Sequence, residues 1–198
     1  KFIKLIRWVN IAMSNISIHN IAQDGHLYHE DKQKIIYLTP SEPLKYDTNK
    51  WFYKEMPALE QWFKDMTSQY ELHQKQDSNH LAFTFPENER LSQEWINAIK
   101  DRGFQLGILE FYIIEGTELA QLTSRKDIDI KEVDESNIED YLNIYYSFAL
   151  PYGKPFAIES VNNARQTILQ KKDSKKRLVA YVDNEPVGTC LLYTSDAA

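Results

Sequence analysis

Two short segments carry side chains of the types that bind metals or anions. His26, His29 and Glu30 supply two imidazoles and a carboxylate, which are common metal ligands. No helical pattern surrounds them, so we interpret the segment as a surface loop and predict no metal site. A basic cluster from Lys171 to Arg177 could approach cofactor phosphates, but cations at a helix end also complement the helix dipole, and we favour that interpretation.

Three large aromatic side chains could form a stacking surface for bases. Trp51, Trp62 and Phe63 belong to a pattern with helical spacing, which favours packing in a core instead. The chain has 23 Lys and Arg against 29 Asp and Glu, a net charge of -6. Because a nucleic-acid partner requires a positive field, we predict none.

The composition is that of an ordinary globular protein, with 42% hydrophobic and 26% charged residues among 198. Cys190 is the single cysteine, so the sequence allows neither an internal disulfide nor a thiolate metal cluster. No apolar run approaches the roughly 20 residues that span a bilayer, and no secretory pattern is present. We therefore predict a cytoplasmic protein with no membrane partner.

Both ends of the sequence look foreign to the protein. Residues 1–12 precede Met13, Ser14 and Asn15, which read like a natural start, and we predict a non-native leader. The alternative for this stretch is a short basic amphipathic helix at a membrane surface. Residues 190–198 resemble a translated adapter of the kind used in sequencing libraries, which predicts an artefactual tail; the alternative is a short final strand.

The first predicted domain, residues 13–118, combines strands with amphipathic helices. A βαβ crossover is expected near its end, where a helix capped by Ser92 and ended by Gly103 leads into an almost continuously apolar segment. We predict that this last segment, Gln105–Ile114, is a strand buried on both faces. The strands are predicted at 34–39, 80–85 and 105–114, with a weaker one at 16–21, and the helices at 48–73, with a break at Pro57, and from 92.

A mostly polar stretch, 116–126, separates this domain from a second one at 127–189. The second domain begins with a strand, and Ser136–Glu139 predicts a capping box that starts a helix. A second helix, a strand, a turn at Asp183–Glu185 and another strand follow. The predicted apolar stripe of the first helix consists of Ile138, Tyr141, Leu142, Tyr145, Phe148 and Ala149.

This β-α-α-β-β order, with the hairpin phrase from Leu178 to Gly188, resembles the opening half of the GNAT superfamily of N-acetyltransferases. The resemblance covers residues 127–188, about a third of the chain. It implies an α/β protein in which a mixed-sheet N-terminal domain precedes the first half of an acetyltransferase fold, truncated. The helix and strand between Leu91 and Ile114 also resemble the second half of that fold, so the first domain is a candidate for a degenerate unit of the same kind.

The resemblance implies transfer of an acetyl group from acetyl-CoA to a primary amine on a small molecule or peptide. The amine would attack the thioester directly while a general base removes its proton. The family holds the cofactor pyrophosphate on a loop of the form Gln/Arg-x-x-Gly-x-Gly/Ala, and the 198 residues contain no such sequence. We therefore predict no cofactor-binding residue and an inactive fragment, and we identify no catalytic residue.

The segment Ala149–Phe156 corresponds by position to the family's acceptor pocket. The residues that the resemblance suggests for this pocket are Tyr145, Tyr146, Phe148, Tyr152 and Phe156. The alternative is that Tyr145 and Phe148 pack in the core, which leaves Tyr152 as the favoured candidate. A second hypothesis for the whole protein is a non-catalytic two-domain α/β protein that binds a ligand or regulates; the acceptor and the oligomeric state stay open.

Overall fold

The computed structural model describes residues 1–9, 17–21, 23–122, 126–170 and 175–193. The chain divides into two compact units, Lys1–Gly116 and Thr117–Ala198. The first elements are β1 (Phe2–Val9), a 3-10 turn (Ile18–Asn20), β2 (Leu27–Glu30), β3 (Lys34–Tyr37), β4 (Trp51–Tyr53), α1 (Leu59–Gln74), β5 (Ala82–Glu87), α2 (Gln93–Asp101), β6 (Gln105–Tyr112) and α3 (Gly116–Leu119). The remaining elements are β7 (Asp129–Glu132), α4 (Ile138–Ala149), a 3-10 turn (Leu150–Tyr152), α5 (Lys154–Gln170), β8 (Lys176–Val182) and β9 (Glu185–Leu192).

Unit 1 is built on a six-stranded sheet in the order β2-β3-β4-β5-β1-β6. The pairs β2–β3 and β3–β4 are antiparallel, whereas β4–β5, β5–β1 and β1–β6 are parallel. The predicted mixed sheet and the α/β class are confirmed. Because β5 and β6 both run parallel to β1, α2 is the crossover helix that the sequence predicts between them.

Aromatic side chains dominate the core of unit 1. The Trp62 indole is fully buried and packs against the rings of Phe104 and Trp95, with centroids 5.4 and 5.1 Å apart. Tyr53 and Phe83 stack at 5.9 Å in the same cluster. Trp51 and Trp62 are buried and Phe63 packs against the same cluster, so the prediction that these rings pack in the core is confirmed.

The helix that the sequence predicts from Thr48 begins only at Leu59. Trp51 lies in β4, where it pairs with Ile36 on one side and Phe83 on the other. Three consecutive aromatic residues fit a pleated sheet better than a helix, and Pro57 removes a helical hydrogen bond before α1 can start. The N-terminal part of that prediction is wrong for this reason.

Strand β6 lies at the edge of the sheet, so the predicted burial on both faces is wrong. Its one neighbouring strand is β1, and Ile108 is 61% exposed. A continuous apolar run is compatible with a buried strand, but the position of a strand in the sheet decides how much cover it receives.

The first residues form strand β1 and not the amphipathic helix considered as an alternative. Ile3 and Leu5 pack on one face of the sheet and Ile6 on the other, as strand periodicity requires. That residues 1–12 are not native to the protein stays a prediction.

The weak strand that the sequence predicts at 16–21 is wrong in its described part, because Ile18–Asn20 is a 3-10 turn. Ile16 lies outside the described residues.

Unit 2 contains a three-stranded antiparallel sheet in the order β7-β8-β9. The turn between β8 and β9 has positive φ at both Asp183 (50°) and Asn184 (66°), as a type I′ hairpin turn requires. Residues 190–192 lie in β9, which is the alternative considered for them, and 194–198 lie outside the described residues.

Helices α4 and α5 cover one face of this sheet. Val179 from β8 and Leu142 from α4 are almost fully buried in the shared cluster. The predicted capping box is not formed, because the Ser136 hydroxyl donates to Asp134 and the residue that precedes α4 is Asn137. No helix within the described ranges is both long enough and apolar enough to span a bilayer.

Candidate functional site

The predicted acceptor segment connects α4 to α5 by a single 3-10 turn. Pro151 lies in this turn, and Gly153 follows it with a φ of 117°, a conformation that a residue with a Cβ rarely adopts. Pro155 is the second residue of α5, where a missing N–H costs nothing. The two helix ends are therefore joined by a short connection whose backbone direction the sequence dictates.

Three of the five predicted site residues present aromatic surface at this connection. Tyr152 is 80% and Phe148 65% exposed, and Phe156 is half-buried with its ring edge-on to Tyr152 at 6.0 Å. The predicted place of Phe148 on the core stripe is wrong, because its side chain is exposed whereas that of the next residue, Ala149, is buried. We call Phe148, Tyr152 and Phe156 the aromatic surface of unit 2.

The other two predicted site residues, Tyr145 and Tyr146, are partly buried and contribute to packing and to the end of α4. The Tyr145 ring packs against the core cluster and contacts Tyr141 at a centroid distance of 6.0 Å. Tyr146 is half-buried, and its backbone carbonyl accepts the N–H of Leu150 at the end of α4. Packing therefore explains Tyr145, and the structure does not bring it to the aromatic surface.

Sequence reasoning missed a polar contact that ties α4 to the sheet. The Tyr181 hydroxyl donates a 2.7 Å hydrogen bond to Asp140, and the Lys131 ammonium lies 4.9 Å from the centre of the Tyr181 ring. Burial of the phenol and its bond to the carboxylate raise the pKa of Tyr181 to about 12. The hydroxyl thus stays protonated and acts as a donor; no local sequence signal links these residues, because they are brought together only by folding.

An open cleft of about 790 Å³ lies at the other end of α5. Its walls come from Glu132–Ser136 after β7, from Thr167–Leu169 in α5, and from Lys175 and Arg177 at β8. Helix α5 has 17 residues, so its two ends are roughly 25 Å apart. The cleft is therefore separate from the aromatic surface, and it includes two members of the predicted basic cluster; Lys171 and Lys172 lie outside the described residues.

Unit 1 buries a charged cluster that the sequence did not predict. Asp65 in α1 accepts hydrogen bonds from the Lys34 ammonium at 2.7 Å and from the Tyr53 hydroxyl at 2.8 Å. Burial and the neighbouring carboxylate raise the pKa of Tyr53. The Lys34 ammonium also lies 4.6 Å from the Trp51 ring centre. Each charge is compensated within the cluster, which stabilises the junction of α1 with β3 and β4.

A second buried network surrounds Asn49. Its carbonyl oxygen accepts from the Thr39 N–H at 2.7 Å and from Gln76 at 2.6 Å, and its amide donates to the backbone oxygens of Glu42 and Lys45. All four hydrogen-bonding positions of a primary amide are engaged. The network therefore fixes the long loop between β3 and β4 to the end of α1.

Two buried histidines adjoin this network. His80 donates to the Asn49 backbone oxygen at 3.3 Å, His73 donates to the His80 oxygen at 2.7 Å, and the two rings meet at 5.0 Å. Burial lowers the pKa of both, that of His80 to about 4, and the neighbouring His73 adds to the shift. Both imidazoles are therefore neutral at pH 7.

Neither histidine takes part in a metal-binding group. Within the ranges that the structure describes, no set of three His, Cys, Asp or Glu side chains is arranged to hold a metal ion. His29 belongs to strand β2 rather than to the predicted loop, and it lies exposed with its ring 3.4 Å from Asp31.

The loop before α1 does not have the chemistry of a pyrophosphate-binding loop. In unit 1 the loop from β4 to α1 carries Glu55 and Pro57 and no glycine, and Ala58 precedes the helix without a side-chain cap. Pro57 has no N–H to donate, and a carboxylate repels phosphate. This loop therefore supplies no cradle of backbone amides for a phosphate group.

Comparison with known proteins assigns the first unit to a defined domain. Residues 16–112 match the family described as a domain of unknown function, DUF5613. A crystal structure described as a functionally unknown conserved protein from Staphylococcus epidermidis is 42% identical to this chain, with a TM-score of 0.85. The similarity covers 93% of this chain and 73% of the staphylococcal one. Among curated proteins, none matches significantly.

Proposed function

We propose that this chain, which belongs to the family of the conserved staphylococcal protein and carries a DUF5613 domain, is the acceptor-binding part of an N-acetyltransferase. The reaction proposed for the whole protein is transfer of an acetyl group from acetyl-CoA to a primary amine. Because the sequence contains no pair of cysteines that could form a disulfide, we infer a reducing compartment and propose that the reaction takes place in the cytoplasm.

The architecture of unit 2 carries the proposal. Its order is strand, two helices, then a two-stranded hairpin, and β7 pairs antiparallel with β8 as β8 does with β9. This is the order that the resemblance to the GNAT superfamily implies for the opening half of the fold. The support is an analogy of fold, so the function must be tested at the site.

The aromatic surface supports binding of an amine. Aliphatic amines are protonated in neutral solution, and the faces of Tyr and Phe rings attract such cations with about 0.5–1 kcal/mol at exposed sites. Tyr152 and Phe156 present two rings in an edge-on arrangement, and Phe148 adds a third at the end of α4. The Tyr152 hydroxyl can in addition accept a hydrogen bond from the ammonium group.

Under this proposal, the glycine loop for acetyl-CoA lies outside these 198 residues. The chain spans 73% of the staphylococcal structure that it resembles, so a quarter of that longer chain has no counterpart here. We therefore expect the complete protein, and not these 198 residues alone, to bind the cofactor.

The test compares this chain with a complete member of the family. We expect calorimetry to detect acetyl-CoA binding by the complete protein and none by residues 1–198, and thiol release from acetyl-CoA to increase when an amine acceptor is added. A complete protein that neither binds acetyl-CoA nor releases thiol with any of a panel of polyamines, aminoglycosides and peptides refutes the proposal. Micromolar binding of acetyl-CoA by this chain alone refutes the proposal that the cofactor site lies outside residues 1–198.

A matched pair of variants in the complete protein tests the aromatic surface itself. Replacing the counterpart of Tyr152 by alanine removes a ring that is 80% exposed, so we expect a higher KM for the acceptor with an unchanged melting temperature. The counterpart of Tyr28, 60% exposed in unit 1, is the control and should alter neither quantity. An equal effect of both replacements would exclude the aromatic surface as the acceptor site.

The cleft at the end of α5 favours a second candidate function, non-catalytic binding of a small ligand. Its volume of about 790 Å³ lies within the usual range for ligand pockets, and Lys175 and Arg177 beside Glu132 and Asp134 offer both signs of charge. Under this hypothesis, a zwitterionic metabolite raises the melting temperature of unit 2, and replacement of Arg177 by glutamine abolishes the shift. If no ligand from an amino acid and nucleotide panel gives a shift, the second candidate is excluded for those classes.

A further inference from the structure

Strand β1 completes the centre of the sheet in unit 1, yet it lies outside the segment that defines the domain. The family match begins at residue 16, whereas β1 is Phe2–Val9. Within the match, β5 and β6 are not neighbours, because β1 separates them. The place between β5 and β6 is therefore filled by a strand that the family match does not include.

The gap binds the whole length of that strand by its backbone. All eight residues of β1 are in parallel register with Gln105–Tyr112 of β6, and Phe2–Lys4 are in register with Ala82–Thr84 of β5. At the ends, the Phe2 N–H donates to the Leu81 oxygen and the Asn88 N–H donates to the Ile6 oxygen, both at 2.8 Å. Backbone contacts of this kind recognise any extended segment.

Side-chain contacts add selectivity for particular positions. Ile3 is fully buried in the cluster that contains Trp51 and Phe83, on the face covered by the helices. Ile6 is 2% exposed on the opposite face, in a cluster with Ile18, Ile35 and Phe52. The two isoleucines therefore anchor β1 in both layers of the core.

Two further side-chain contacts add selectivity at the N-terminal end of β1. The Phe2 ring occupies the place of a side chain at Gly107, where a Cβ would lie 2.7 Å from the ring. The Lys4 ammonium pairs with the Asp47 carboxylate, which lies in the loop before β4. The gap therefore matches an extended segment with an aromatic residue, an isoleucine and a cation in sequence, followed by a second isoleucine two positions later.

We propose that the gap between β5 and β6 is a peptide-binding site for an extended segment, and that residues 2–9 occupy it as a tethered ligand. The same sequence binds there when it is supplied as a separate peptide. This strand-accepting function is independent of acetyl transfer, which concerns unit 2.

The test starts from the full chain with a protease site inserted between Ala12 and Met13. After cleavage, we expect the fragment of residues 1–12 to co-elute with the remainder and to exchange with a fluorescent peptide of the same sequence. An Ile3→Asp peptide should bind on the order of a hundredfold more weakly, since it would bury a carboxylate in an apolar cluster. An Arg7→Gln peptide is the matched control. The Arg7 side chain is 66% exposed and loses only a surface ion pair with Glu110 at 3.8 Å, so this peptide should bind within about threefold of the parent.

A variant of the site completes the test. Gly107→Val in the cleaved chain fills the space of the Phe2 ring, so we expect at least roughly tenfold weaker peptide binding, and a peptide with Phe2→Gly should recover part of the loss. Release of the fragment on cleavage, with or without unfolding of the remainder, overturns the proposal. Equal binding of the Ile3→Asp and Arg7→Gln peptides overturns it as well.

Discussion

Acid should destabilise unit 1 through His80, and the size of the effect follows from its surroundings. Burial and the neighbouring His73 lower the pKa of His80 from an ordinary 6.5 to about 4. The unfolded state therefore binds a proton more readily than the folded state as the pH falls below 6.5. The contribution of neutral His80 to the free energy of unfolding is fully present above pH 6.5 and is lost progressively as the pH falls to about 4.

The expected loss is about 2 kcal/mol at pH 5 and about 3 kcal/mol at pH 4, from 1.36 kcal/mol for each unit of pKa difference. The charged ring would lie against the Tyr46 ring at 4.1 Å and His73 at 5.0 Å, with the chain's amino group as a further positive charge. Acidic side chains such as Asp47, whose pKa the Lys4 ammonium lowers, also cost stability in acid, but at lower pH.

Urea titrations followed by tryptophan fluorescence between pH 7.5 and 4.5 measure this effect in unit 1 alone, because all four tryptophans precede Gly116. The variant His80→Gln should be less stable than the parent at pH 7.5 and should lose about 2 kcal/mol less on going to pH 5. The control His26→Gln changes an exposed ring in unit 1 and should keep the parent's dependence of stability on pH. Equal pH slopes for the parent and His80→Gln would refute the reasoning.

Three further replacements have defined outcomes in urea titrations. Asp65→Ala leaves the Lys34 ammonium buried without its carboxylate and should cost about 3–5 kcal/mol by tryptophan fluorescence; a cost below about 1 kcal/mol would contradict the account of that cluster. Tyr181→Phe removes a hydrogen bond to a carboxylate and should cost about 2 kcal/mol in unit 2, followed by circular dichroism, and an unchanged midpoint would argue against it. Asn184→Val forces a β-branched residue to a φ of 66° and should cost about 1–2 kcal/mol, whereas Asn184→Gly should not; equal effects would exclude the hairpin turn as the cause.

Elements with local signals were predictable from the sequence. Ser92 caps the start of α2, where its hydroxyl accepts a hydrogen bond from the Trp95 N–H, as expected for a serine at this position. Gly103 follows the end of α2 with a φ of 69°, which glycine adopts readily. The turn at Asp183 and Asn184 likewise follows from residues that tolerate positive φ. These features depend on neighbours in sequence, so they need no knowledge of the rest of the fold.

Features that depend on distant residues were not predictable. Ile108 is apolar and yet exposed, because β6 lies at a sheet edge that no local pattern specifies. Phe148 fits the periodicity of a core stripe, yet its side chain is exposed while that of the neighbouring Ala149 is buried. Lys34 and Asp65 pair inside the fold although they are 31 positions apart in the sequence. Considered singly, each charged residue is expected at the surface, so the sequence does not predict their burial.

Because every hydrogen-bonding position of the Asn49 side chain is used, deamidation of this residue would affect the fold. Loss of ammonia from this side chain would replace an amide that donates to the oxygens of Glu42 and Lys45 by a carboxylate that faces them. A buried negative charge beside two carbonyl oxygens is strongly unfavourable, so the converted chain would lose the anchor of the loop between β3 and β4. Deamidation at this position would therefore destabilise the fold more than the same change at an exposed asparagine.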